Sequence, residues 1–235
     1  MKPIVVLRND RSAPAGYLGS ALDERGLDWE RCELDTGDAL PELGEVRALV
    51  ALGGEMGAYD EDRYPYLAAE KRLLVRAARE GIPVLGLCLG CQLLADALGG
   101  RAYRAEVPEV RFATLDMTAA GSADGTVRHL EGRRVLVFHQ DTWDLPPGAE
   151  MLATGGGFAQ AFRWGSVVGI QPHPEVSPTI VESWIEWALP TVRAAGTDPK
   201  RLIGELHEAT AEIEATAAAF FGAWLDEVDA RRTSG

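Results

Sequence analysis

The sequence has little cysteine, little positive charge and no long apolar run. Three cysteines occur in 235 residues, and their spacing fits no disulfide framework, which is typical of a reducing compartment. Asp and Glu outnumber Lys and Arg by 36 to 23, so the formal net charge is −13. Nucleic acid and anionic membranes are therefore not expected as partners, because both require a basic face.

No apolar run approaches the roughly 18 residues that a membrane-spanning helix needs. Residues 1–3 lead directly into the strand-like 4–7, without the apolar region and cleavage site of a signal peptide. We therefore expect a cytoplasmic protein. The length and ordinary composition fit one α/β domain of roughly 180 to 200 residues plus an appendage.

The apolar pattern predicts an open, mostly parallel sheet with helices on both faces. Up to residue 98 the predicted order is β-α-β-β-α-β-α. After that, short apolar segments separated by turn residues predict hairpins and edge strands added to the same sheet. These antiparallel candidates are 101–105, 111–117, 133–138, 150–153, 159–163 and 167–171. A helix is predicted from Ser177 to Leu189.

The C-terminal part predicts a helical extension over 193–235, which follows a main domain at 1–192. Asp198-Pro199 starts one continuous helix to about Asp229. Its apolar residues recur every three or four positions and form a single stripe. The stripe either packs on the chain's own domain or forms a contact with a partner, including a homodimer.

The most informative stretch is 82–94, where an apolar strand runs into a helix at Cys88. Gly86 and Gly90 lie two residues to either side, which is the spacing of a nucleophile elbow with cysteine in place of serine. A helix N-terminus favours the thiolate form of such a cysteine. Two alternatives remain open from this stretch alone. Cys88 is a buried core residue, or it forms a C-x-x-C redox pair with Cys91.

A cysteine nucleophile needs a base and a group that orients the base. Of the four histidines, His173 is the best candidate, because it follows a predicted strand and lies two residues before Glu175. His139 also follows a strand, and it either lines the site or has a structural role. The glycine pair Gly53-Gly54 ends the third strand on the same side of the sheet, and the alternative for it is a plain turn.

These pieces resemble the class I (triad-type) glutamine amidotransferases over nearly all of residues 1–190. Within that family the sequence is most similar to the glutaminase part of GMP synthase and to its stand-alone members. The matching segments are 51–54, 64–66, 81–94, 108–110, 139–141 with 145–149, and 169–175. The resemblance implies a flavodoxin-like α/β fold, and it implies no metal and no cofactor.

The resemblance also implies a role for each matching residue. Cys88 would attack the side-chain amide of glutamine and form a γ-glutamyl thioester, His173 would transfer protons, and Glu175 would orient His173. The backbone N–H groups of Gly54 and Leu89 would form the oxyanion hole. Gln92 and Gly53 would contact the substrate.

The sequence departs from the family pattern at four positions. Glu55 follows the glycine pair where proline is common, and Pro172 precedes the histidine where phenylalanine is usual. Cys91 replaces a small residue or histidine. Arg111 follows Glu109-Val110 where a glycine is usual, so the substrate side of the site is expected to differ there.

Three functions remain open. The first is a glutaminase subunit that passes ammonia to a separate synthase, since no synthase-like segment follows residue 190. The second is a stand-alone hydrolase of γ-glutamyl amines or peptides that uses the same thioester. The third is a redox or regulatory protein that uses Cys88 and Cys91, and the His173 and Glu175 pair argues against it.

Overall fold

A computed structural model of the chain describes residues 2–232. The strands are β1 (Ile4–Arg8), β2 (Trp29–Glu33), β3 (Ala48–Ala51), β4 (Val84–Leu87), β5 (Arg101–Ala113), β6 (Asp116–Met117), β7 (Val135–Asp144), β8 (Glu150–Gly155), β9 (Phe158–Trp164) and β10 (Val167–Ile170). The helices are α1 (Gly16–Glu24), α2 (Tyr66–Arg79), α3 (Leu89–Ala97), α4 (Ala119–Ala123), α5 (Pro178–Trp187), α6 (Leu189–Ala194), α7 (Pro199–Glu208) and α8 (Thr210–Arg232). None of the helices in this range is both long and apolar enough to cross a bilayer.

The main sheet has the strand order β2-β1-β3-β4-β10-β9-β8-β6. From β2 to β10 the neighbouring strands are parallel, and β9, β8 and β6 continue the sheet with antiparallel pairing. The predicted fold class is thereby confirmed. The short strands β3, β4 and β10 are buried throughout, as expected for strands covered on both faces. Their carboxyl ends lie side by side, which is where ligands bind in such sheets.

The strands predicted at 101–105, 111–117 and 133–138 do not all join the main sheet. The long strands β5 and β7 instead pair with each other as a separate two-stranded sheet, and that part of the prediction is wrong. The pairing register shifts between Arg104 and Glu109, a segment that contains Pro108, which lacks a backbone N–H donor. One bridge from Leu136 to His173 connects β7 to the loop after β10.

Helices cover both faces of the main sheet. On one face α1 and α8 pack over β1, β3 and β4, and on the other face α2 and α3 pack over the same strands. Helices α5, α6 and α7 form a third apolar cluster with β5 and β7. The loop after β10 lies where these layers meet.

The C-terminal region is two helices, so the prediction of one continuous helix over 198–229 is wrong. Helix α7 ends at Glu208 and Ala209 lies in a turn. The hydroxyl of Thr210 donates to the carbonyl oxygens of His207 and Leu206, and this competes with regular helical bonding.

The predicted apolar stripe is buried within this chain. All eight of its residues are less than 9% exposed: Leu202, Leu206, Ala209, Ile213, Ala217, Phe220, Trp224 and Val228. The stripe therefore packs on the chain's own domain, and it no longer supplies the reason for a homodimer, which stays a prediction. The boundary at residue 192 also stays a prediction, although α8 covers the main sheet.

Candidate active site

Cys88 lies at a strained elbow between β4 and α3. Its φ of 50° makes it the one non-glycine residue with positive φ among residues 2–232. A Cβ on Gly86 would lie 2.7 Å from the backbone of Gly90, and a Cβ on Gly90 would lie 2.0 Å from the carbonyl oxygen of Ala51. Side chains at either glycine would therefore clash, as the elbow interpretation requires.

Two neighbouring strands fix the sulfur of Cys88. The backbone N–H of Cys88 donates to the carbonyl oxygen of Ile170 at 2.9 Å. Gln171 Nε2 donates to Cys88 Sγ at 3.5 Å, and the thiol lies 3.9 Å from the carbonyl oxygen of Phe138. Sequence reasoning missed this role of Gln171, although the residue lies inside the matching segment at 169–175.

His173 and Glu175 form a buried pair beside the elbow. His173 Nδ1 and Glu175 Oε1 are 2.7 Å apart, and both side chains are almost fully buried. The backbone N–H of His173 donates to the carbonyl oxygen of Leu136 at 2.8 Å. Within residues 2–232, His173 Nε2 meets no hydrogen-bond partner at bonding geometry, so this ring nitrogen is available for proton transfer.

The pKa of His173 is well above its ordinary value of 6.5. Burial alone would lower it, but the negative charges of Glu175 and Cys88 outweigh burial. These interactions favour an imidazolium next to the sulfur. That pairing is the one that a cysteine nucleophile needs, because the thiolate is the reactive form.

Three residues that the sequence did not reveal, Gly16, Tyr17 and Trp184, hold the pair in place. The backbone N–H of Tyr17 donates to the carbonyl oxygen of Glu175 at 2.8 Å, and a Cβ on Gly16 would lie 2.0 Å from that oxygen. The indole ring of Trp184 packs edge-on against His173 with ring centroids 4.9 Å apart. The contact of Gly16 and Tyr17 with Glu175 joins segments far apart in sequence, and that of Trp184 with His173 joins α5 to the loop before it, so neither is visible as a short sequence motif.

The glycine pair Gly53-Gly54 lies next to Cys88 and His173. A Cβ on Gly53 would lie 3.5 Å from His173 Cε1 and 3.7 Å from Cys88 Cβ, and one on Gly54 would lie 2.9 Å from a side-chain carbon of Leu89. The loop therefore brings Gly53, Gly54 and Leu89 together around the elbow. The oxyanion hole formed by their backbone donors stays a prediction.

Gln92, one turn into α3, faces the same space. Its Nε2 donates to the carbonyl oxygen of Asp141 at 3.2 Å and to Gln171 Oε1 at 3.3 Å. The cavity above Cys88 has a volume of about 460 Å³, within the range of small-molecule sites. Its walls come from the loop after β3, from α3, from β7 and from the α5 to α6 junction.

A second histidine and glutamate pair lies along this cavity. His139 and Glu109 stand opposite each other in the β5–β7 ladder, and His139 Nε2 lies 3.0 Å from Glu109 Oε2. Glu109 also accepts from Arg111 Nε at 2.6 Å and from Gln160 Nε2 at 2.8 Å. Burial would raise the pKa of Glu109, but the hydrogen bonds from His139 and Arg111 outweigh it and lower the pKa.

Cys91 is separate from this chemistry. It is fully buried in the apolar cluster between α2, α3 and the sheet, and burial raises the pKa of its thiol well above the ordinary value. A cysteine in such surroundings is inert. Over residues 2–232 no group of three or more His, Cys, Asp and Glu side chains is arranged to hold a metal ion.

Comparison with known proteins relates this site to a family. The model of the class-I glutamine amidotransferases matches residues 21–186. The GMP synthase [glutamine-hydrolyzing] of Aeropyrum pernix is 33% identical over 180 residues, which are 73% of this chain and 33% of that protein. The chain thus spans about a third of that relative.

Two further similar proteins match this chain over most of their own length. The glutamine amidotransferase-like protein YfeJ of Salmonella typhimurium is 30% identical over 196 residues, which are 79% of this chain and 80% of that protein. A crystal structure of a glutamine amidotransferase from Thermotoga maritima superposes with a TM-score of 0.84 at 27% identity, covering 96% of this chain and 97% of that one.

Proposed function

Because the chain belongs to the class I glutamine amidotransferase family, we propose that it hydrolyses the side-chain amide of glutamine through a thioester on Cys88. The observation that carries the proposal is the 2.7 Å contact of His173 with Glu175 beside a cysteine at a strained elbow. Base and orienting carboxylate are buried, so their geometry is held without solvent. The family match over residues 21–186 confirms the resemblance found in the sequence at the level of the family.

The first half of the reaction forms the thioester. The thiolate of Cys88 attacks the amide carbon, a C–S bond forms, and the carbonyl electrons move onto oxygen. When the tetrahedral intermediate collapses, the C–N bond breaks and the imidazolium of His173 gives its proton to the departing ammonia. Glu175 holds the ring through Nδ1, so Nε2 is the nitrogen that transfers the proton.

The second half hydrolyses the thioester. Neutral His173 takes a proton from water, hydroxide attacks the acyl carbon, and glutamate leaves while Cys88 regains its thiolate. In both halves the negative charge on oxygen is bound by the backbone N–H groups of Gly54 and Leu89, and one such donor is worth about 10²–10³ in rate. Gln92 and the backbone of Gly53 contact the glutamyl group. We assign this chemistry to a cytoplasmic domain at 1–192 with a helical extension predicted at 193–235, of which 233–235 lie outside the described residues.

Two fates of the leaving group are compatible with the cavity. In the first, ammonia passes to a separate synthase subunit. In the second, the enzyme is a stand-alone γ-glutamyl hydrolase, and a larger amine leaves. The volume of about 460 Å³ supports the second candidate, because the cavity extends from Cys88 to Arg104, Trp187 and Thr191.

The test is glutamate release by the purified protein from glutamine, γ-glutamyl amines and γ-glutamyl peptides. We expect Cys88→Ala to lower the rate by about 10⁴-fold or more, since the nucleophile is lost. Cys32→Ala, at a buried cysteine on β2, is the matched control and keeps the rate within about threefold. An active Cys88→Ala variant contradicts the proposal. At least tenfold preference for glutamine selects the first candidate, and the reverse preference selects the second.

A further inference from the structure

A buried polar pair lies beneath the glycine loop and takes no part in the reaction described above. Asn9, just after β1, and Glu70, in the middle of α2, are both completely buried. A carboxyl group is rarely buried without a charged partner, since desolvation is costly. No cation contacts Glu70 among the described residues, and its hydrogen-bond partner there is the amide of Asn9.

Asn9 connects this carboxyl group to the loop. Its Nδ2 donates to Glu70 Oε1 at 3.2 Å and to the carbonyl oxygen of Leu52 at 3.4 Å. Leu52 directly precedes the glycine pair, and Asn9 Cβ lies 3.5 Å from where a Cβ on Gly54 would be. The hydroxyl of Tyr66 donates to the carbonyl oxygen of Asn9 at 2.9 Å, which fixes the backbone of Asn9.

The bond to Leu52 sets the direction of a donor at the site. A trans peptide is planar, so holding the carbonyl of Leu52 toward Asn9 points the N–H of Gly53 the opposite way. Both glycines lack side chains that would otherwise restrict the chain, so the loop depends on such bonds for its conformation. Any rotation at Leu52 is passed on to the next peptide, which carries the N–H of Gly54.

We propose that Asn9, held by Glu70, is a positioning residue that keeps the Gly53-Gly54 backbone in the conformation that binds the oxyanion. This inference rests on the proposed function, because the oxyanion arises only in acyl transfer. Asn9 acts through the loop and does not touch the substrate. An amide has two hydrogens, and the neutral carboxyl of Glu70 takes one while Leu52 takes the other.

The arrangement depends on the protonation state of Glu70. Burial raises the pKa of Glu70 to about 8, and the bond from Asn9 opposes burial only in part. Ionised Glu70 attracts the amide more strongly, because bonds to a charged acceptor are shorter. The bond to Leu52, already 3.4 Å long, is then lost first.

Two other titratable groups with raised pKa values, Tyr66 and Cys32, lie near Glu70. Tyr66 lies one turn earlier on α2, and burial raises its pKa. Cys32 on β2 also faces Glu70, and burial raises its pKa to about 11. Asp10 and Asp35 act on Tyr66, and Asp38 and Glu33 act on Cys32. Tyr66 and Cys32 therefore stay uncharged between pH 7 and pH 9, while Glu70 loses its proton in this range.

The experiment compares Glu70→Gln with the wild type and with Glu80→Gln, which removes an exposed charge just after the same helix. We measure kcat and KM for glutamine from pH 6 to 9.5, and hydrogen-exchange protection of residues 52–56 at pH 7 and pH 9. The wild type and Glu80→Gln are expected to lose protection of residues 52–56 at pH 9, with an apparent pKa near 8. Glu70→Gln is expected to keep this protection, because glutamine mimics the neutral acid. Its kcat is expected to fall less at alkaline pH than that of the wild type, because only the deprotonation of His173 then contributes.

Asn9→Ala gives an independent arm. We expect kcat to fall about 10- to 100-fold at pH 7 with KM within about threefold, because transition-state binding is weakened while ground-state binding is kept. An unchanged kcat in Asn9→Ala, or the same loss of protection of residues 52–56 at pH 9 in Glu70→Gln as in the wild type, overturns the proposal. If the wild type cleaves no γ-glutamyl substrate yet the exchange of 52–56 responds as expected, the loop positioning stands and the proposed function fails.

Discussion

Two buried histidine and glutamate pairs line or adjoin the same cavity, and they differ in how the carboxylate is shared. In the first pair, within residues 2–232, Glu175 accepts from His173 while its Oε2 has no donor. In the second pair, Glu109 is shared by His139, Arg111 and Gln160. A carboxylate whose negative charge is partly neutralised by an arginine attracts a positive charge on its histidine less strongly. The pair without a second cation is therefore the one suited to hold an imidazolium.

The location of each pair supports the same distinction. His173 lies close enough to Cys88 for the sulfur to raise its pKa, and it lies on a rigid loop between two prolines. His139 lies within a strand, packed against Phe158 with ring centroids 5.3 Å apart. We infer that the first pair transfers protons and that the second pair shapes the cavity wall.

Replacing each histidine tests this difference most strongly. We expect His173→Asn to lower kcat by about 10³-fold or more, since the group that transfers the proton is lost. His139→Asn is expected to change kcat by less than about tenfold and to act mainly on KM. Steady-state glutamate release measures both. Equal losses in the two variants would remove the distinction between the pairs.

Replacing each glutamate tests the difference between the two pairs indirectly, through the histidine that the glutamate holds. Glu175→Gln is expected to lower kcat by about 10²–10⁴-fold, because the ring loses its orientation and the stabilised charge. Glu109→Gln is expected to keep kcat within about tenfold but to lower the free energy of unfolding by about 1–3 kcal/mol, because Arg111 loses its partner. Kinetics and urea unfolding of the two variants give these values. A Glu109→Gln enzyme as impaired in kcat as Glu175→Gln would place the second pair in the reaction.

The pH dependence of stability sharpens the comparison further. The folded pKa of His173 lies above the unfolded value near 6.5, so its contribution is complete below pH 6.5 and is lost as the pH rises through the folded value. We expect the wild-type free energy of unfolding to fall above pH 6.5 more steeply than that of Glu175→Gln. Urea unfolding from pH 6 to 9 measures the two slopes. Parallel slopes would show that Glu175 does not hold the proton on His173.

The smallest effect is expected at Cys91. Cys91→Ala removes a buried sulfur and should cost about 1 kcal/mol of stability, while kcat stays within about threefold. Inactivation by peroxide should proceed at the same rate as in the wild type, because Cys88, which lines the cavity, is the reactive thiol. Slower inactivation of Cys91→Ala would restore the redox pair as a candidate.

The sequence predicted those parts of the site whose residues are close along the chain. Gly86, Cys88 and Gly90 form one short motif, and His173 lies two residues from Glu175, so their geometry follows from local backbone conformation. The parallel sheet was predicted from short apolar segments, since its inner strands β3, β4 and β10 are buried on both faces. The long C-terminal helix was mispredicted at Ala209, because the apolar pattern continues through the turn and gives no sign of the side-chain bonds that Thr210 makes there.

What the sequence by itself determined was the glycine-flanked turn at Cys88, the histidine and glutamate two residues apart, and the α/β architecture that brings strand ends together. Only the tertiary structure decided which side chains support them. Gly16 lies against the backbone of Glu175, and Trp184 packs against His173. Glu109 forms hydrogen bonds with Arg111 and His139, and Asn9 forms one with Glu70. Most of these contacts join different elements, and they depend on how helices and strands pack rather than on any local preference. Packing is cooperative over the whole chain, so it leaves no short pattern in the sequence.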